Sequence, residues 1–222
     1  MKRHFLTGMV LFLILGSFAF GARDVEIQQK KLISQTPPFS LAIPSEFKLI
    51  HSDSLDVPKE NSRTRIYLFI KEKNKQVEEM FLMEVADKTN PQASPMTFPP
   101  LKPLTEKKMY QKDRKKKGDL EIDYLIQLMA WNPDAPSLQA IVKRGYRIPR
   151  YWALQGQLLF SYLGEHVVFV RYSRDVSTFG MRISEEGKDW EKDSISGNEK
   201  KVYEIFRRSF MEMVNSISLK NN

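Results

Sequence analysis

The chain has 222 residues, a net charge of +8 and no cysteine. The absence of thiols excludes disulfides, thiolate metal sites, cysteine nucleophiles and thiol redox chemistry together. Only His51 and His166 lie beyond the first few residues, so imidazole metal sites and histidine catalysis are thinly supplied.

Residues 1–22 read as an export signal. Lys2, Arg3 and His4 precede an apolar run from Phe5 to Phe20, and Ala19-Phe-Gly21 fits a small-x-small cleavage pattern. Export to a periplasmic or extracellular space is therefore expected, with cleavage near Gly21 or Ala22. The run is short of the roughly 20 apolar residues of a permanent span, and an uncleaved anchor is the alternative. Residues 23–36 read as a polar arm holding an edge strand or only partial order, and 37–222 as a single domain.

Within that domain, Phe39–Ile43 and Phe47–Ile50 read as short strands and the polar span Asp53–Ser62 as a loop. Thr64–Glu72 and Val77–Ala86 alternate apolar side chains on both faces around a turn at Lys73–Gln76. Pro91, Pro95, Pro99, Pro100 and Pro103 bar helix and inner strand, making 88–105 a stiff crossing loop. Thr105 is placed to cap a helix through Lys117, ended by Gly118. Leu120–Trp131 carries two patterns. Alternation from Leu120 to Leu128 suits a strand, while Leu125, Leu128, Met129 and Asn132 share a helical face, and the balance tips to a helix. A further helix is expected over Ser137–Arg144, stopped by Gly145.

Leu154–Val176 is the clearest feature, two strands folded back at Gly164-Glu165 through a type II′ turn. That turn pairs Leu163 with His166, Leu159 with Val170 and Leu158 with Arg171. Both faces of the hairpin are largely apolar, which predicts covering layers on each side. Arg171 is its one unusual polar residue, and the hairpin is expected to be scaffold. An acidic stretch follows, with Glu185, Glu186, Asp189, Glu191 and Asp193. Ser196-Gly-Asn-Glu199 then fits a capping box. Val202, Phe206, Phe210, Met213 and Ile217 form a helical stripe suited to packing on a sheet.

These elements predict an α+β domain in which an antiparallel sheet is covered by helices on both faces. Phe39-Ser-Leu-Ala-Ile-Pro44 followed by Phe47, the hairpin from Gly156 to Ser173 and the closing helix from Glu199 to Ser218 resemble PsbP-like and DcrB-like domains. The resemblance implies an α/β/α sandwich. It also implies an exported or organelle-lumen accessory or binding protein, and it carries no catalytic residues over to this chain.

Two stretches are candidate contact sites. Most of the net charge falls between Lys102 and Gly118, where Lys107, Lys108, Lys112, Arg114, Lys115, Lys116 and Lys117 suit phosphate, anionic lipid or an acidic partner. The competing reading is a solvated helix face. Lys143–Trp152 interleaves Arg144, Arg147 and Arg150 with Tyr146 and Tyr151, a composition suited to an anion or a protein interface, or else a helix end whose rings complete the core. His51 and His166 read as ordinary surface or edge residues. Asp119, Glu121 and Asp123 lack the further oxygens and the glycine of a calcium loop. No nucleophile elbow, phosphate loop or dinucleotide fingerprint occurs. No catalytic residue, metal or cofactor is assigned. The expectation is a non-enzymatic accessory or binding protein of the cell envelope, meeting an envelope protein or an anionic surface rather than nucleic acid. A membrane-surface or polyanion binder using the basic segment, and a hydrolase whose site assembles from distant residues, are the alternatives.

Overall fold

A computed structural model describes residues 24–103, 109–149, 152–180 and 197–219. Eleven strands and two α-helices occur among them, in the order β1 (Val25–Gln28), β2 (Lys31–Ser34), β3 (Phe39–Ala42), β4 (Lys48–Val57), β5 (Ser62–Lys73), β6 (Gln76–Lys88), β7 (Met109–Lys117), β8 (Leu120–Ala130), α1 (Pro136–Lys143), β9 (Trp152–Tyr162), β10 (His166–Asp175), α2 (Gly197–Ser216) and β11 (Ser218–Leu219). Strands β4-β5-β6-β10-β9-β8-β7 form a seven-stranded antiparallel sheet, and β1-β2-β3-β11 a separate four-stranded one. The expected helix-covered α/β/α sandwich is therefore wrong. The described chain is mostly strand, and its two helices are too few to cover both faces.

Two segments account for the difference. From Met109 to Lys117 the basic segment is not a helix but the edge strand β7, Thr105 lies outside the described residues, and Leu120–Ala130 is the partner strand β8. As a helix, the basic segment would bury little beyond Met109. As a strand it sets Arg114 opposite Asp123 and Lys116 opposite Glu121, and cross-strand opposite charges favour that register. Its open outer edge needs no apolar face, and lysines there discourage pairing with another chain. In β8 the alternation prevails because both edges are paired, to β7 and to β9. The span 53–62 is likewise strand as far as Val57, continuing β4 along the opposite edge.

The β9–β10 register is one residue off the expected pairing. Leu163 and Gly164 both have positive φ, 55° and 67°, and the Glu165 amide donates to the Tyr162 carbonyl at 3.1 Å. Two successive positive φ angles characterise a type I′ turn, which begins one residue earlier than Gly164 alone signals. Glu165 stays outside the ladder as an extra residue, so Tyr162 pairs with His166, and Arg171 lies opposite Gln157 instead of Leu158. A single-residue slip changes every cross-strand neighbour.

Both faces of the large sheet are covered, by unlike layers. On the first, Val202, Phe206, Phe210, Met213 and Val214 of α2 join Phe39 and Leu41 of the small sheet over Phe81, Leu158, Phe160 and Tyr172. Gly156 permits the closest approach, since a Cβ there would fall 2.3 Å from the Phe210 ring. Tyr172 and Phe206 stack with ring centroids 5.3 Å apart. The capping residue Ser196 lies outside the described residues. At the other end of α2, Lys117 donates to the carbonyls of Asn215 and Ile217 at 2.8 and 2.6 Å, which favours a cation at a helix C-terminus.

The second face is divided. Leu138 and Ile141 of α1, with Trp131, cover Ile66, Leu68, Ile70, Met80 and Leu82. Phe98 and Leu101 of the proline-rich loop cover Leu125, Leu159, Val167 and Phe169. Between these two apolar clusters runs a seam of polar side chains.

Candidate ligand-binding site

The residues singled out in the sequence fall into two separated places. On β7, Arg114 binds Asp123 at 2.6 Å and Glu121 at 3.4 Å, Lys115 reaches the Asn215 side chain, and Lys117 caps α2. Lys112 and Lys116 point into solvent. At the far side of the sheet, Arg144 ends α1 and Tyr146 lies under the Lys48 ammonium, 4.6 Å from the ring centroid. The Arg147 amide donates to the Lys75 carbonyl at 2.8 Å, its carbonyl accepts from Val77 at 2.9 Å, and its guanidinium donates to the Asn74 carbonyl at 3.1 Å. Arg147 thus ties the segment after α1 to the β5–β6 turn. Lys107, Lys108, Arg150 and Tyr151 lie outside the described residues.

Three clusters of partly or fully buried ionisable groups were not visible in the sequence. The first centres on Glu79, which is 2% exposed. It accepts from Tyr172 Oη at 2.6 Å, Lys71 Nζ at 2.8 Å and Ser45 Oγ at 2.9 Å. Burial would raise this carboxyl, but the Lys71 and Tyr172 hydrogen bonds outweigh it and hold the group below its ordinary value. The oxygens are fully satisfied, and the cluster closes one end of the first face.

The second cluster lines an open depression of about 360 Å³ bounded by Asp24, Thr36, Arg63, Arg65, Asp87, Lys88, Thr89 and His166. Arg65 grips Asp87 through two nitrogens, at 2.6 and 2.9 Å, and Asp24 through a third at 3.1 Å. His166 Nδ1 lies 2.8 Å from Asp87 Oδ1. Burial opposes the Asp87 charge, but His166 and Arg65 together hold the carboxyl below its ordinary value. These groups answer one another, and His166 sits beside the Arg65–Asp87 ion pair.

The third cluster is the seam on the second face, where the amides pair with one another but the charged groups do not. Gln127 of β8, Gln155 and Gln157 of β9, Arg171 and Ser173 of β10 and Glu84 of β6 form a diagonal across four adjacent strands. Register places Gln127 beside Gln155, Gln155 beside Ser173, and Gln157 beside Arg171. Gln155 Oε1 accepts from Gln157 at 2.7 Å and Gln127 at 3.0 Å, while Gln155 Nε2 donates to Ser173 Oγ at 3.1 Å. Glu84, set between Ile66 and Phe169, is 2% exposed. Neither of its carboxylate oxygens has a hydrogen-bond partner among the described residues. Its nearest cation is Arg171, whose Nη2 is 3.5 Å from Oε1, an ion pair without hydrogen-bond geometry.

Arg171 is also incompletely used. Its guanidinium lies 4.6 Å from the Phe169 ring centroid, its side chain is 32% exposed, and it accounts for no hydrogen bond among the described residues. Burial pushes the Glu84 carboxyl above its ordinary value, against the opposing pull of Arg171. A buried carboxylate with no donor is costly. Here it has a guanidinium with free donors beside it, and the amide row begins on the next strand, with Gln157 opposite Arg171. The arrangement suits a polar ligand entering past Arg171. Among the described residues no group of three or more acidic, cysteine or histidine side chains is placed to hold a metal.

Comparison with protein-family models, with curated proteins and with solved structures gave no match. The seam therefore stands on its own geometry.

Arg171 was the one member that the sequence marked as unusual. Glu84 interrupts the apolar run Met80–Val85, and that interruption was the available signal. Its meaning depended on knowing that Phe169 and Ile66 flank it.

Proposed function

We propose that this protein is an exported, non-enzymatic binding protein of the cell envelope, and that its ligand seat is the seam between α1 and the proline-rich loop. Export rests on the signal-like character of residues 1–22. The carrying observation is Glu84, a buried carboxylate whose two oxygens lack donors beside an Arg171 guanidinium with donors to spare. Groups of this kind are retained where a bound molecule completes them.

Two measurements test the reading. Mass spectrometry of the native protein should find its N-terminus near Ala22. A melting-temperature screen of small polar compounds should find stabilisers of the wild-type protein that fail with Glu84→Gln. A screen whose stabilisers act equally on both proteins refutes the seat.

The Asp87–His166 pair favours a second reading, a hydrolase with His166 as general base, oriented through Nδ1 by the carboxylate. Hydrolysis of an activated ester by the wild-type protein that is lost in His166→Ala would support it. Equal rates in the two proteins would remove it.

A further inference from the structure

The seam offers one anionic group and one cationic group side by side, both short of hydrogen bonds, and this restricts what can bind there. A simple anion at Arg171 would stand against the Glu84 carboxylate. A simple cation at Glu84 would stand against the Arg171 guanidinium. Either mismatch in a desolvated site costs more than it would in water. A ligand with an ammonium and a carboxylate on neighbouring atoms meets both charges with their opposites, on the scale of the 3.5 Å that separates Arg171 Nη2 from Glu84 Oε1.

The guanidinium is well suited to its share. It sits over the Phe169 ring, and its fork matches a carboxylate in two-point fashion. The Glu84 oxygens can accept from an ammonium, which supplies three donors. Past this pair lie Gln157, Gln155 and Ser173, joined by hydrogen bonds of their own. Primary amides and a hydroxyl suit a neutral polar side chain better than an aliphatic or charged one.

Resting on the reading of the seam as the ligand seat, we propose that the ligand is a zwitterionic α-amino acid with a small uncharged polar side chain. Its carboxylate lies on Arg171, its ammonium on Glu84 and its side chain along the glutamine row.

The test is isothermal titration calorimetry of the purified protein with glutamine, asparagine and serine. Alongside each goes its decarboxylated amine, its deaminated acid and the leucine zwitterion. At least one of the three amino acids should bind, with affinity lowered at least about tenfold for both of its truncated forms and for leucine. Glu84→Gln and Arg171→Lys should each lower it comparably, with far-UV circular dichroism confirming that both variants fold. Arg171→Lys keeps the charge but loses the fork, so its loss separates two-point recognition from simple attraction. Glu84-dependent binding of an amine, an acid or leucine as tight as that of the polar amino acids overturns the ligand class and leaves the seat intact. No binding by any of these compounds, with no Glu84-dependent stabiliser in the wider screen, overturns both.

Discussion

Glu84→Gln is expected to stabilise the free protein at neutral pH, an unusual result for a change at a nearly fully buried position. The substitution keeps the shape of the side chain and removes its charge. Leaving a buried polar group without a partner costs about 1–3 kcal/mol, and more for a charged one. Against this, the amide is itself buried without an arranged partner. Arg171 also loses its counter-ion, but at 3.5 Å, with the arginine about one-third exposed, solvent screening leaves that attraction worth about 1 kcal/mol or less. The balance is a gain of about 1 kcal/mol, or about 2–4 °C in melting temperature for a domain of this size.

The pH dependence follows from the direction of the shift. Burial raises the folded-state pKa of Glu84, so its protonated form is favoured by folding. The associated stability is fully present below the ordinary glutamate value and is lost as pH rises through the folded value. The advantage of Glu84→Gln should therefore be small in acid and open up toward neutral pH. Thermal unfolding followed by circular dichroism, from about pH 4 to about pH 8 to span the ordinary and raised values, measures it. A variant that melts below wild type at neutral pH would refute the reasoning, because it would mean that Glu84 is well partnered when ionised.

Other changes probe the frame that holds the seam. Gly156→Ala puts a methyl group into the Phe210 ring, which its Cβ would approach to 2.3 Å. It should lower stability in chemical denaturation by about 1–3 kcal/mol or more through overpacking. Glu79→Gln weakens the charge-assisted bonds from Lys71 and Tyr172 and should cost about 1.5–3 kcal/mol at neutral pH. Because the folded-state pKa of Glu79 is depressed, that stability is present above the ordinary glutamate value. The difference from wild type should shrink as pH falls through the folded value. Lys117→Met removes the cap on α2 and should cost about 0.3–1 kcal/mol in thermal unfolding. Lys112→Ala and Lys116→Ala, whose side chains point into solvent, should stay within about 0.5 kcal/mol of wild type.

Strands with their own period-two alternation were legible from local pattern alone. Thr64–Glu72, Val77–Ala86 and the Leu154–Val176 hairpin appear close to their expected bounds as β5, β6, β9 and β10, and α1 and the closing helix were equally plain. What local pattern could not convey was supplied by partners. The lysines of β7 make sense as a strand only beside Glu121 and Asp123 of β8, and β8 shows its strand character only when paired on both edges. The hairpin register turned on Leu163 adopting a positive φ, which an L-residue rarely does and which its side chain does not advertise. The two-sided apolar strands correctly implied two covering layers. They could not show that one layer combines α2 with a small sheet and that the other is split between α1 and a proline-rich loop. That split leaves the seam in place, and so the hairpin expected to be scaffold carries four of the six seam residues.

The most direct test of the seam as a ligand seat is nuclear magnetic resonance of the Glu84 side-chain carboxyl carbon and the His166 ring. Both would be followed while a compound that stabilises the protein is added to saturation. Ligand in the seam should shift the Glu84 carboxyl resonance and leave the His166 ring unchanged. A shifted His166 ring with an unmoved Glu84 carboxyl would place the ligand in the Arg65–Asp87–His166 depression and contradict the account.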